Sequence, residues 1–179
     1  MPSLPKLPTY ADLDRSLRST FALKWVMNAW PPMLFAGIRI THLSPDARTA
    51  RVRLSKNPLT SNYVGTQFGG SLYAMTDPFW MLLVGRALGP DYTVWDKRGE
   101  IDYLRPGRTA VEAEFRVTDD LLDEIRAGAA DGGAHLHWLT TDVVATDGTV
   151  VARVRKQLHV RLRPSSTLSE AEEAAAVRR

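Results

Sequence analysis

The sequence predicts an α+β domain in which an antiparallel sheet wraps around one apolar helix. The most apolar stretch of the chain, residues 72–88, ends at a glycine–proline pair, which is a strong helix stop signal. Segments in which apolar and polar residues alternate, as is typical of strands, lie on both sides of this stretch. A helix that is apolar all round must be covered on several sides, and a curved sheet covers one of them.

Six segments alternate in the manner of strands. They are residues 37–43, 49–54, 93–104, 110–117, 135–146 and 149–162. The first two segments are joined by residues 44–47, which have turn chemistry, and the last two by Asp147-Gly148, the strongest short hairpin signal in the sequence. These two connections predict antiparallel hairpins.

Two further helices are predicted outside the apolar stretch. The first is capped by Thr9 and stops at Pro31-Pro32, and apolar residues recur on it every four positions. That stripe consists of Leu13, Leu17, Phe21 and Trp25. The second helix covers residues 119–130 and is predicted to be capped by Asp119.

The 179 residues are enough for one domain with a real core and too few for two domains to be expected. We divide the chain into an N-terminal extension with its helix (1–32), the main domain (33–163) and a C-terminal tail (164–179) that is predicted to be a loose helix. A sheet edge or helix face left uncovered is most simply covered by a second subunit, so we expect a homodimer or a dimer of dimers.

Composition excludes several classes of function. The chain has no cysteine, which excludes a disulfide framework, a thiol nucleophile and zinc sites built on cysteine. A net charge of +3 is too mild to indicate nucleic-acid binding, although a pI near 9.4 is compatible with an anionic small ligand. No signal peptide is evident, and charges interrupt the apolar stretch before it could span a membrane, so we expect a cytoplasmic protein.

One acid, Asp77, stands inside the apolar stretch. An ionised carboxylate buried without a partner costs several kcal/mol or shifts its pKa upward, so Asp77 is expected to have a function. Gly65, Gly69 and Gly70 precede it and offer backbone N–H groups near a predicted helix start. The alternative is that Asp77 simply caps a helix that begins at Pro78, with the glycines as turn residues.

The segment from Asn62 to Asp77 resembles the hotdog-fold acyl-CoA thioesterases, in particular the phenylacetate-pathway-like branch and the related DUF4442 group. The resemblance lies in the spacing of an Asn, a Gly, a Gly-Gly pair and an acid, here at positions 62, 65, 69–70 and 77. It implies a hotdog fold with an extra N-terminal helix. Phe68 stands where these relatives carry a His.

The resemblance also implies roles for individual residues. Asp77 would activate water or attack the thioester, and the N–H of Gly69 would donate to the thioester oxygen. Asn62 and Asp96 would be supporting polar groups, with Asn62 equally able to be a loop residue that bonds its own backbone. Seven residues are predicted to bind the substrate, namely Phe68, Gly70, Trp80, Trp95, Lys97, Arg98 and Arg105.

The basic residues around position 100 have two interpretations. Lys97, Arg98, Arg105 and Arg108 could receive the phosphates of coenzyme A, or they could form a solvated strand face. His135 and His137 share a strand face, but no other metal ligand stands at a recognisable spacing, so no metal is predicted. Coenzyme A as part of the substrate is the only cofactor expected.

The sequence therefore predicts an acyl-CoA thioesterase. Phe68 keeps a second interpretation open, in which the protein binds acyl-CoA or a fatty-acyl group without catalysis. A hotdog dehydratase is disfavoured because those enzymes need a His close to the acid. A serine hydrolase of the α/β type lacks support because the chain has no Gly-x-Ser-x-Gly motif.

Overall fold

The computed structural model describes residues 19–163 and contains a six-stranded antiparallel sheet. The strands are β1 (Ile38–Leu43), β2 (Thr49–Leu54), β3 (Tyr92–Tyr103), β4 (Val111–Arg116), β5 (His135–Ala145) and β6 (Val150–Leu162). Their order in the sheet is β1-β2-β4-β5-β6-β3. The predicted α+β class, all six strands and both hairpins are confirmed. The predicted N-terminal cap at Thr9 and the tail from Pro164 lie outside the described residues.

Five α-helices and one short 3-10 helix, Pro58–Thr60, accompany the sheet within the described residues. The α-helices are α1 (Thr20–Ala29), α2 (Pro31–Ala36), α3 (Gly69–Ala74), α4 (Phe79–Leu88) and α5 (Asp119–Gly128). Six side chains of α4 are buried, and this helix packs against β3, β6 and α5. The strands contribute their alternate apolar residues to the same core, as the period-two pattern predicts. None of these helices is long and apolar enough to cross a membrane.

The apolar stretch forms two helices, not one. A turn over residues 75–78 separates α3 from α4, and this turn contains Asp77. Pro78 explains the break, because proline has no N–H to donate and its ring disfavours the helical conformation of the residue before it. The interruption places an acid at a bend of an otherwise apolar segment.

The N-terminal helix corrects one prediction. In α1 the buried residues are Leu23 and Met27, whereas Phe21 and Trp25 are 70% and 63% exposed. The every-four-residue stripe therefore does not mark the side of α1 that packs in this chain; its other members, Leu13 and Leu17, lie outside the described residues. The helix ends before Pro31 as predicted, but Pro31 then begins α2, because proline is favoured in a first helical turn.

The cap of α5 is also different from the prediction. Asp119 is the first residue of the helix, and Thr118 is its N-cap. The hydroxyl of Thr118 accepts a hydrogen bond of 3.2 Å from the backbone N–H of Leu121. Asp119 instead pairs with Arg48, which ties the start of α5 to the loop before β2.

Gly85 gives a direct test of α4. A Cβ built on Gly85 meets only Val94, at 3.7 Å, which is ordinary van der Waals contact. Gly85→Ala is expected to stabilise the protein by about 0.5–1 kcal/mol, because alanine loses less conformational freedom in a helix interior. Denaturant unfolding measures this change. Gly89→Ala is the matched control: Gly89 has φ +87°, so the same substitution there should destabilise.

Candidate functional site

Asp77 lies on the turn between α3 and α4, and its carboxylate is 52% exposed. The prediction of a desolvated acid is therefore wrong for Asp77 in this chain. The helix-cap alternative is not supported either, because α4 has Pro78 as its N-cap residue and makes no side-chain capping hydrogen bond. Asp77 instead accepts a hydrogen bond of 2.7 Å from Nζ of Lys156.

Lys156 is the residue that sequence reasoning missed. Its side chain is only 3% exposed, and Nζ lies 2.7 Å from Oδ1 of Asp77 and 3.1 Å from Oδ2 of Asp96. Lys156 occupies an inward position of β6, between the buried Val154 and Leu158. A lysine at an apolar position of an alternating strand was the available signal, because such a residue needs a partner of opposite charge.

Asp96 and Asp77 both contact the ammonium of Lys156. Burial raises the pKa of Asp96, the ammonium of Lys156 opposes that rise, and the charge of Asp77 adds to it. The second oxygen, Oδ1, is buried and has no hydrogen-bond partner among the described residues. Asp96 is thus a carboxyl group that holds a proton more readily than an exposed aspartate.

The ammonium of Lys156 is held in its charged form by this pair of acids. Burial lowers the pKa of Lys156, but the hydrogen bond to Asp77 and the charges of Asp96 and Asp77 outweigh burial and raise it. Tyr73 adds a further contact, because Nζ of Lys156 lies 3.4 Å from its hydroxyl and 5.2 Å from the centre of its ring. We call Asp77, Asp96 and Lys156 the acid–lysine cluster.

Gly99 on β3 makes room for this arrangement. A Cβ at position 99 would stand 1.7 Å from the hydroxyl oxygen of Tyr73 and 3.2 Å from Cδ of Lys156. Any larger residue at this position would displace Tyr73. The close approach explains a glycine in a strand interior, where glycine is otherwise unfavourable.

The predicted helix start at Gly69 and Gly70 is confirmed. Phe68 is the N-cap residue of α3, and a Cβ on Gly70 would lie 2.5 Å from its ring. The hydroxyl of Tyr103 donates to the carbonyl of Gly69 at 3.1 Å and so ties α3 to the end of β3. The N–H groups of Ser71 and Leu72 donate to the carbonyl of Phe68, so the N–H groups that this end offers to an acceptor are those of Gly69 and Gly70.

Asn62 shapes the loop that leads into α3. Its Nδ2 donates to Oγ1 of Thr66 at 2.8 Å and to the carbonyl of Gln67 at 3.2 Å, and its Oδ1 accepts from the N–H of Thr66 at 2.9 Å. These bonds match the alternative in which Asn62 is a loop residue. Its role in orienting water stays a prediction.

A cavity of about 570 Å³ lies between this loop and the turn that follows β3. Its walls include the polar residues Asn62, Thr66 and Gln67, the start of α3 at Gly69, and Arg105 with Arg108. Both arginines are exposed, and neither has an ion-pair partner within residues 19–163. The cavity is therefore lined both by two exposed arginines and by the first residue of α3.

The remaining predicted substrate residues fall in two places, with Trp80 in α4 and Trp95, Lys97 and Arg98 on β3. Trp80 is buried in the core, where its Nε1 donates to Thr141 at 2.7 Å and its ring packs edge-on against Phe115, so it lines no substrate surface here. Trp95 is exposed and stacks on His159 at 3.8 Å. Lys97 and Arg98 are exposed at a bulge of β3, directly after Asp96.

The two histidines on β5, His135 and His137, lie side by side without a third metal ligand among residues 19–163. Their rings lie 5.6 Å apart, and Nδ1 of His137 is 3.7 Å from a carboxylate oxygen of Glu124. Burial lowers the pKa of His137, with the carboxylate of Glu124 opposing that effect. In the part of the chain that the structure describes, no three candidate ligands come together around a metal position.

An antiparallel sheet that packs around an apolar helix, with a glycine-rich loop at the start of the helical segment, defines the protein as a hotdog-fold domain. The chain belongs to the DUF4442 family, a domain of unknown function, whose model matches residues 19–160. The family resemblance seen in the sequence is thus confirmed. No curated protein gives a significant match.

Solved structures share this fold at low sequence identity. A Pseudomonas aeruginosa protein of unknown function, described as a probable thioesterase, is 18% identical with a TM-score of 0.65, over 89% of this chain and 100% of that one. A Haemophilus influenzae thioesterase is 16% identical with a TM-score of 0.57, over 88% and 93%. A Chlorobaculum tepidum protein of unknown function is 15% identical with a TM-score of 0.62, over 87% and 98%.

Proposed function

We propose that this protein hydrolyses an acyl-CoA thioester to the free acid and coenzyme A. The observation that carries the proposal is the acid–lysine cluster, in which a half-exposed carboxylate is held at a bend of the central helical segment. The family resemblance and the thioesterase descriptions of two fold relatives agree with it. In the reaction, water adds to the thioester carbonyl, the C–S bond breaks, and the thiol of coenzyme A leaves.

Asp77 is the proposed catalytic carboxylate. Either it takes a proton from the attacking water, or it attacks the thioester itself and water then hydrolyses the resulting anhydride. The negative charge that develops on the thioester oxygen needs donors, and the N–H of Gly69 at the start of α3 is the proposed donor. Asp96, with its raised pKa, is the proposed supporting acid of the same site.

A second copy of the chain completes the proposed site. β3 is twelve residues long and lies at an edge of the sheet, so its outer side has unpaired backbone groups that another strand can bond. We propose that two copies pair at this edge and that the helix and loop of one subunit face a strand of its neighbour. The protein would then be a homodimer or a dimer of dimers, which size-exclusion chromatography with light scattering measures.

The cavity beside Gly69 is the proposed place for the phosphate-bearing end of coenzyme A. Arg105→Ala is expected to raise KM for an acyl-CoA about 10-fold at unchanged kcat, because one hydrogen bond to a charged group contributes about 1.5 kcal/mol or more. An acyl-pantetheine, which lacks the nucleotide, should show the same KM with both proteins. Arg39→Ala, which removes an exposed arginine from β1, is the control. Equal KM values for wild type and Arg105→Ala with acyl-CoA would contradict this assignment.

A non-catalytic acyl-CoA-binding protein is the second candidate. Phe68 favours it, because an exposed phenylalanine at the N-cap of α3 provides neither a hydrogen-bond donor nor a proton, unlike a histidine. The two candidates share the cavity and the fold, so they differ only in turnover.

Thiol release separates the two candidates. The wild-type protein is incubated with short-chain, long-chain and aromatic acyl-CoAs while free thiol is measured, and binding of the same compounds is measured by calorimetry. Hydrolysis is expected for at least one acyl class. Binding with no thiol release for any class would favour the second candidate, and neither binding nor release would contradict both.

A further inference from the structure

We infer that Lys156 is a positioning residue that holds Asp77 by one oxygen and leaves the other for the reaction. This inference rests on the proposed function. The hydrogen bond from Nζ of Lys156 to Oδ1 is the only one that the carboxylate of Asp77 makes with residues 19–163. Asp77 stands on a turn and not within a helix, and Lys156 is the one hydrogen-bonding anchor of its side chain among the described residues.

The position of Lys156 is itself fixed by its surroundings. Its stem lies between buried neighbours of β6, its ammonium contacts Asp96 on β3, and the ring of Tyr73 on α3 lies beside it. Lys156 therefore links the turn that carries Asp77 to two strands of the sheet. A buried, doubly paired ammonium has few alternative positions, so it can hold a carboxylate within the narrow range that a reaction requires.

The cation also allows two acids to share one site. Asp77 and Asp96 both approach the same ammonium, and a second carboxylate nearby makes a carboxyl group harder to ionise when no cation lies between them. The charge of Asp77 already raises the pKa of Asp96, and Lys156 counteracts that rise. Removing the ammonium should therefore raise the pKa of Asp96 further and move the ionisation of the cluster to higher pH.

Lys156→Met tests this role, because methionine keeps an unbranched side chain and removes the charge. The variant is expected to lower kcat by about 10- to 100-fold with KM within about twofold of wild type. The acidic limb of the kcat profile should also move to higher pH, which a purely structural role would not cause. Arg155→Met is the matched control: it removes the same charge from the same strand, but Arg155 is exposed and pairs with Glu100. Its kcat and pH profile should equal those of wild type.

A second measurement needs no turnover. NMR titration of the aspartate carboxyl groups without substrate should show that the pKa of Asp96 rises further in Lys156→Met than in wild type and not in Arg155→Met. An unchanged titration of Asp96, or a wild-type kcat and acidic limb in Lys156→Met, would overturn the role of Lys156. A shifted titration together with no hydrolysis of any acyl-CoA would support the cluster and count against the proposed function alone.

A double variant covers the case in which Lys156→Met does not fold. Asp96→Asn/Lys156→Met removes the buried charge of Asp96 together with that of Lys156, so only the half-exposed Asp77 remains ionisable in the cluster. Its kcat is expected to stay below that of Asp96→Asn alone by about 10-fold or more, because Asp77 still lacks its holding contact. Equal kcat values for the double variant and Asp96→Asn would overturn the inference.

Discussion

Asp77→Asn is expected to lower kcat/KM for acyl-CoA hydrolysis by at least about 100-fold, since positioned general bases typically contribute 100- to 10,000-fold. The amide keeps the size of the carboxylate but can neither accept a proton from water nor attack the thioester. Thiol release under single-turnover conditions measures the chemical step directly. Lys156 keeps Asp96 as a partner in this variant, so the fold is expected to remain intact.

The control for Asp77→Asn is Asp91→Asn. Asp91 is an exposed aspartate in the loop between α4 and β3, away from the acid–lysine cluster, and its substitution should leave kcat/KM unchanged. Circular dichroism and denaturant unfolding of both variants establish that they fold alike. Turnover by Asp77→Asn at a wild-type rate would show that another group does the chemistry.

Phe115→Ala is expected to destabilise the protein by about 3–5 kcal/mol, which is a large part of the 5–15 kcal/mol typical of a whole domain. Phe115 on β4 is fully buried, and its ring centre lies 5.1 Å from that of Phe79 and 5.4 Å from that of Trp80. Removing the ring leaves a cavity between the sheet and α4, and the rigid aromatic neighbours can only partly fill it. Urea unfolding followed by tryptophan fluorescence measures the loss.

Phe35→Ala is the matched control for this core variant. Phe35 lies in α2 and is 81% exposed, so the same truncation is expected to change the free energy of unfolding by no more than about 0.5 kcal/mol in the monomer. A loss below about 1 kcal/mol for Phe115→Ala would mean that the sheet and α4 close over the gap. It would also contradict the interpretation that the rings of Phe115, Phe79 and Trp80 form a central part of the core.

Most of the fold could be predicted from local patterns. The alternation in β2 and β4 predicts which side chains are buried, because neighbouring residues of a strand point to opposite faces of the sheet. Asp147-Gly148 predicts the hairpin of β5 and β6, because its turn type fixes the pairing of the strands beside it. The N-cap of a helix was harder to predict from the sequence. Thr118 and Asp119 are both good capping residues, and the hydrogen bond that the hydroxyl of Thr118 accepts from Leu121 decides between them.

The site was only partly predictable. Asp77 and the helix start at Gly69 follow from composition and from the family spacing, and Asp96 follows from the family resemblance. The exposure of Asp77 could not be predicted, because the break at Pro78 turns the acid out of an apolar segment. Trp80 was assigned to the substrate, yet its partner Thr141 lies on β5, and no local pattern joins those two residues.

By itself the sequence determined the class of fold, the strands, the apolar helical segment and the family, because each depends on residues close together in the chain. Only the tertiary structure decided that Lys156 lies against Asp77, 79 positions away, and against Asp96. That contact exists because the sheet order places β6 next to β3, beneath the turn between α3 and α4. The charge balance of the candidate site depends on this packing of distant segments.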